Sequence, residues 1–142
     1  MERRYRAIGS RWGDNAIQTY LNLMITNEFL LVGSRFDLTD DYLYAIKKGM
    51  EIRAIARIKE DFKSYDDDCP VSKETLRKYQ IDPDYVHFKY ARTEFIYRLE
   101  KGIDSRDRQA SGTRIHSPDV VNKLNKELDK YILLRSSSEN KK

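Results

Sequence analysis

Short apolar runs, each closed by a glycine or a polar cluster, predict an alternation of strands and helices along the chain. Tyr5 to Gly9 alternates weakly and ends on glycine, as a short strand does. Behind it, Ile17, Tyr20, Leu21 and Met24 lie at offsets of 3, 4 and 7, one face of a helix that Asp14 or Asn15 would cap. Phe29-Leu30-Leu31-Val32-Gly33 is a continuous apolar run, the pattern of a fully buried strand. Asp40 to Lys48 reads as a short helix, with Lys47 and Lys48 in its last turn and Gly49 as the left-handed residue after it. Met50 to Ile58 then reads as a strand, with Ile52, Ala54, Ala56 and Ile58 on one face.

In the second half, Lys59 to Pro70 carries Asp66-Asp67-Asp68 and reads as an exposed loop. Ser72 should cap a short helix through Tyr79, closed by Asp82-Pro83. Val86, Phe88 and Tyr90 alternate with polar neighbours as a half-buried strand does, and Thr93 to Leu99 reads as another strand. Asp104 to Gly112 is polar and is expected to be a flexible connector. Ser117-Pro118 supplies an N-cap and a proline in the first helical position, opening a last helix. Its core stripe would be Val121, Leu124, Leu128, Tyr131 and Ile132. Residues 136–142 form a polar tail, expected to be disordered. The order predicts an α+β domain over residues 1–135, a curved mixed sheet or open barrel flanked by helices.

Composition narrows the classes of function. A chain of 142 residues suits one domain, which at this size buries roughly 68–70% of its unfolded surface. Aromatic residues reach 11%, including 10 Tyr, which argues against intrinsic disorder. The single cysteine, Cys69, has no internal disulfide partner, and with two histidines it falls short of a four-ligand zinc site. No apolar run approaches the roughly 20 residues that span a bilayer, and no secretory leader is visible, so a cytoplasmic location is expected. The net charge of +4 permits an anionic partner without requiring one.

One small pattern occurs twice. Gly9-Ser10-Arg11-Trp12 follows the first strand, and Gly33-Ser34-Arg35-Phe36 follows the second, 24 residues later. If those strands were parallel neighbours, both loops would meet at the carboxyl edge of the sheet, where ligands bind in such folds. Trp12 and Phe36 offer faces on which a base can stack. Arg11 and Arg35 can fork onto phosphate, and the glycines let backbone approach closely. Gly112-Thr113-Arg114-Ile115-His116 is a second basic loop, through which Arg114 could reach the same ligand. The competing reading makes Trp12 and Phe36 core plugs and pairs the arginines with Asp14 and Asp37.

Catalytic constellations do not assemble. His87-Phe88-Lys89 and His116-Ser117-Pro118 lack the Thr or Ser that two-histidine phosphoesterases place two residues after each histidine. Three aspartates before Cys69 disfavour its thiolate. Asp66-Asp67-Asp68 lacks the glycine and terminal glutamate of a calcium loop. A nuclease set at Asp41 and Glu51-Ile52-Arg53 has arginine where lysine is expected. The reading is therefore of a binding module without cofactor or metal.

The order of elements resembles the PUA-like superfamily, including its EVE and YTH groups. The resemblance rests on the strand entering Gly9-Ser10-Arg11-Trp12, the run Phe29 to Gly33, the Gly49 to Ile58 strand and the late strand Val86 to Ala91. It covers most of the chain at the level of pattern. It implies a pocket at the mouth of a barrel that binds RNA or a flipped, modified base. Trp12 and Phe36 would then form the sandwich, and Ser10 and Ser34 the edge readers. The expected partner is nucleic acid or a free nucleotide, with Ser10, Arg11, Trp12, Ser34, Arg35, Phe36 and Arg114 as ligand-binding residues. Two rival functions stay open: a nucleotide-processing enzyme or nuclease using Asp14, Asp37 or Glu51, and a protein–protein adaptor using the last helix and its tyrosine-rich rim.

Overall fold

The computed structural model describes residues 3–12, 18–33, 42–105 and 113–140, with side chains of the last helix described to Ser136. It is α+β. Five strands, β1 (Tyr5–Ile8), β2 (Phe29–Gly33), β3 (Leu43–Lys48), β4 (Glu51–Ile58) and β5 (Phe88–Asp104), form one mixed sheet in the order β1-β3-β4-β5-β2. Three helices, α1 (Leu21–Asn27), α2 (Lys73–Lys78) and α3 (Pro118–Asn140), complete it. Among the described residues, no helix is long and apolar enough to cross a membrane.

The sheet curls into a half-barrel, and β5 shows how. Its first residues, Phe88 to Arg92, pair antiparallel with β2, while Thr93 to Asp104 pair antiparallel with β4. One strand thus serves two neighbours in succession, and the register shift between Arg57 and Ile58 falls at the handover. Shifts of this kind raise local twist and bend the strand. The sequence divides this stretch into two strands beginning at Val86. Val86 instead lies outside β5 and is 77% exposed, and nothing between Phe88 and Asp104 breaks the strand.

Each face of the sheet carries its own core. On one face α3 packs Val120, Leu124 and Leu128 against Tyr5, Leu43, Ile55, Leu99 and Ile103. Tyr5 donates its hydroxyl hydrogen to Asn125 Oδ1 at 2.8 Å, and Arg3 pairs with Asp129 at 2.8 Å, tying α3 to β1. Burial beside this ion pair raises the Tyr5 phenol to about 12. On the other face α1, β2 and the segment around α2 cover Tyr44, Ile46, Ala54, Ala56 and Ile58. The last helix begins at Pro118 as its N-cap pattern predicts, and it continues through Asn140, into the stretch read as a tail. Ile132, placed by periodicity in its core stripe, is 48% exposed, while Val120 is buried.

Two expectations are corrected. The segment read as a helix up to Lys48 is strand β3, whose five residues from Leu43 to Lys47 are all buried. It lies between β1, with which it pairs in parallel, and β4, with which it pairs antiparallel, so both of its edges are taken, while Tyr44 and Ile46 face one core and Leu43 and Ala45 the other. Consecutive burial of this kind suits an interior strand, and the Lys47-Lys48-Gly49 ending that mimics a helix terminus instead opens a hairpin. Gly49 sits there at φ +66°, a conformation that favours glycine, with Lys48 paired to Glu51 across the turn. In β4, the expected single apolar face is broken by a register shift between Ile52 and Ala54. Ile52 consequently joins Ile55 on the α3 side, while Ala54, Ala56 and Ile58 face α1.

Candidate binding site

The two glycine-led motifs would lie side by side if β1 and β2 were parallel neighbours. In fact β1 and β2 are the opposite edges of the sheet. The curl nevertheless brings their ends together. A Cβ built on Gly33 would stand 3.0 Å from the Trp12 ring, so the indole lies directly over the glycine that ends β2. Glycine suits this position because a Cβ would press on the indole. Ser34, Arg35 and Phe36 lie outside the described residues, but the second motif begins at the very residue on which Trp12 packs.

Trp12 is half-buried and anchors an aromatic cluster. Its centroid lies 5.9 Å from that of Tyr85, edge to face, and 5.9 Å from that of Phe88. Tyr85 in turn meets His87 at 5.5 Å. Phe88 is fully buried, whereas Tyr85 is 42% exposed and is the ring with most open surface. The sequence reading weighs His87 only as a phosphoesterase histidine and counts Tyr85 among core or rim tyrosines, so neither is placed at the binding site. The only signal available was their position just before an aromatic strand.

Beside this cluster, the end of β1 forms a pocket of about 160 Å³, lined by Ile8, Gly9, Ser10, Arg11, Lys47 and Gly49. Ser10 is buried in its wall. Its hydroxyl donates to the Lys47 carbonyl at 2.7 Å and accepts from the Thr19 hydroxyl at 2.9 Å. The first bond ties Ser10 to the end of β3 and the second holds the returning chain at Thr19, so Ser10 is bound up in structure. Burial of the Tyr20 phenol in this corner pushes its pKa well up. Arg11 is exposed at the pocket rim and pairs through its backbone with Thr19. Arg114 is placed elsewhere. It pairs with Arg6, in the middle of β1, where residues 113–115 cover the strand's outer edge. The structure therefore brings Ser10, Arg11 and Trp12 to one end of the half-barrel and leaves Arg114 along its side.

The strongest electrostatics lie away from this pocket. Glu60 takes a bidentate grip on Arg92, at 2.8 and 3.0 Å, and also accepts the Arg92 backbone N–H at 3.0 Å. The hydrogen bonds from Arg92 hold the Glu60 carboxyl down at about 2, against an ordinary 4.5. Nearby, the buried Tyr90 hydroxyl donates to Asp66, which also pairs with Lys63 at 3.2 Å. The Tyr90 bond lowers the Asp66 carboxyl, and burial raises the Tyr90 phenol. Backbone bonds between Lys63 and Tyr90, 2.9 Å each way, complete a clasp that pins the 59–70 segment to β5. The acidic run is thus a structural fastening rather than a free loop.

This clasp gives the fold an acid-sensitive component. Glu60 is depressed in the folded state, so its contribution is complete above pH 4.5 and is lost as pH falls from 4.5 toward 2. Urea midpoints measured across pH 2–7 should fall in that window, and Glu60→Gln should be less stable at neutral pH with a flatter acid limb. Parallel acid limbs for the two proteins would remove Glu60 from the account.

Among the described residues, no group of three or more His, Cys, Asp or Glu side chains is arranged to hold a metal ion. Burial raises the Cys69 thiol, which disfavours its thiolate. Glu51 is exposed and pairs with Arg53 at 3.1 Å, while Asp14, Asp37 and Asp41 lie outside the described residues. Comparison with protein-family models, curated proteins and solved structures finds no match to this chain.

Proposed function

We propose that this domain is a non-catalytic, PUA-like module that binds a nucleotide, or a base presented by single-stranded or flipped-out nucleic acid. The observation that carries this reading is the convergence of the β1 and β2 ends, which sets the Trp12–Tyr85–His87 cluster beside the Arg11 pocket. A base needs an aromatic face and its phosphate needs a cation a few ångströms away. Tyr85 offers the exposed ring, Trp12 supports it edge-on from below, and Arg11 offers a guanidinium at the pocket rim. Ser10 shapes the wall through its two hydrogen bonds instead of reading a base edge.

Trp12 is the sole tryptophan, so its fluorescence reports on the cluster directly. Titration with nucleotides and short oligonucleotides should give saturable quenching. Tyr85→Ala should weaken binding about tenfold, since a stacked base contributes roughly 1–3 kcal/mol. Arg11→Gln should lower the salt dependence, by about 0.7 in slope for one phosphate contact on a single strand. Emission unchanged across the whole panel would overturn the reading.

A further inference from the structure

On the other side of Thr19 from the Arg11 pocket lies a second cleft, of about 180 Å³, lined by Thr19, Asn22, Lys48, Arg53 and Arg98. Its three cations come from separate stretches of chain: the end of β3, the bulged part of β4, and β5. Pairing of β4 with β5 sets Ala54 opposite Arg98, on the face that α1 covers, and there Arg98 donates to Asn22 Oδ1. The cleft therefore opens where the apolar cover of α1 ends.

Charge balance distinguishes this place from others where cations gather. Lys73 and Arg77 share Asp84, Lys63 holds Asp66 and Asp68, and Arg92 holds Glu60. In the cleft, the carboxylate in ion-pair contact is Glu51, on Arg53. Lys48 and Arg98 make no ion pair among the described residues. Three positive groups line one concavity, and Glu51 pairs with Arg53 alone, so the group repels itself and favours an anion.

We propose that the Lys48–Arg53–Arg98 cleft is a phosphate-binding site, taking a phosphate group carried either by a nucleic-acid backbone or by a free nucleotide. The two guanidinium groups present planar forks that match phosphate oxygens, and Lys48 adds a compact charge. Asn22 holds the Arg98 fork in place before any ligand arrives, which lowers the ordering cost of binding. The site goes beyond the aromatic reading, because it needs no base.

The test is an amide NMR titration of the full chain with inorganic pyrophosphate and with an abasic single-stranded oligonucleotide. Saturable shifts are expected at the amides of residues 19–22, 48–53 and 97–99. Removing one charged donor should raise Kd about tenfold in Arg98→Gln and in Lys48→Gln. Lys48 ends an exposed hairpin, so its variant reads out cleanly if loss of the Asn22 contact disturbs α1. Stronger binding of pyrophosphate identifies the phosphates of a free nucleotide as the ligand, and stronger binding of the abasic strand identifies backbone phosphodiesters. No saturable shift with either probe, or shifts undiminished in both variants, would overturn the site. Since neither probe carries a base, that failure would leave the aromatic reading standing.

Discussion

Leu124→Ala is expected to destabilise the domain by about 3 kcal/mol, within the range found when a buried leucine leaves a cavity behind. Leu124 is completely buried at the centre of the contact between α3 and the sheet. Its neighbours there, Ile55, Leu99 and Ile103, come from two strands whose backbones are locked in register, so the cavity has little freedom to collapse. The loss is large against the 5–15 kcal/mol that ordinarily holds a domain of this kind together. Leu133 provides the contrast. It stands on the same helix, nine residues further on, but is 71% exposed, and Leu133→Ala should stay within about 0.5 kcal/mol. Chemical denaturation of both variants checks the pair. A cost below about 1 kcal/mol for Leu124→Ala would mean that α3 rests on the sheet without contributing to its core.

The contrast also shows what the sequence could reveal. Residues 118–131 carry a helical stripe strong enough to be read unaided, because a helix on a sheet buries one face and leaves the other wet. Phe29 to Gly33 was legible for a related reason: a continuous apolar run closed by glycine has few other uses. The β3 segment was not legible. Leu43-Tyr44-Ala45-Ile46-Lys47 is short and lacks alternation, and its Lys-Lys-Gly ending fits a helix terminus as well as a hairpin. Only pairing decides between them, with β4 across the hairpin and with the parallel partner β1, which is distant in sequence. The switch of Ile52 to the α3 face depends likewise on a bulge that two-residue alternation cannot anticipate.

For the candidate site, the glycine-led motifs do approach each other, at Trp12 and Gly33, although β1 and β2 are not parallel neighbours. Their approach comes from curl, which brings the outer strands β1 and β2 of the half-barrel toward each other. Tyr85 and the cations Lys48, Arg53 and Arg98 were invisible for one physical reason. Each has an ordinary local context, and only the folding of distant strands gathers them.

Trp12→Ala is expected to cost about 2–3 kcal/mol, somewhat less than the 3–5 kcal/mol typical of a fully buried tryptophan, because this indole is half-exposed. The ring covers Gly33 and touches Phe88, so its removal uncovers the end of β2 and one wall of the α1-side core. A second substitution isolates the contact that matters. Gly33→Ala places a methyl group 3.0 Å from the indole and should cost about 1 kcal/mol while Trp12 is present, the low end for overpacking. In the Trp12→Ala background the space is open, so the same change should cost little, giving a coupling of about 1 kcal/mol in the double-mutant cycle. Additive effects would show that Trp12 does not rest on Gly33 in solution. A Trp12→Ala protein of undiminished stability that has lost nucleotide binding would make the indole a stacking platform. Expected instead is a protein whose cluster loosens as a whole, since the ring that orients Tyr85 also closes the gap between the two edges of the sheet.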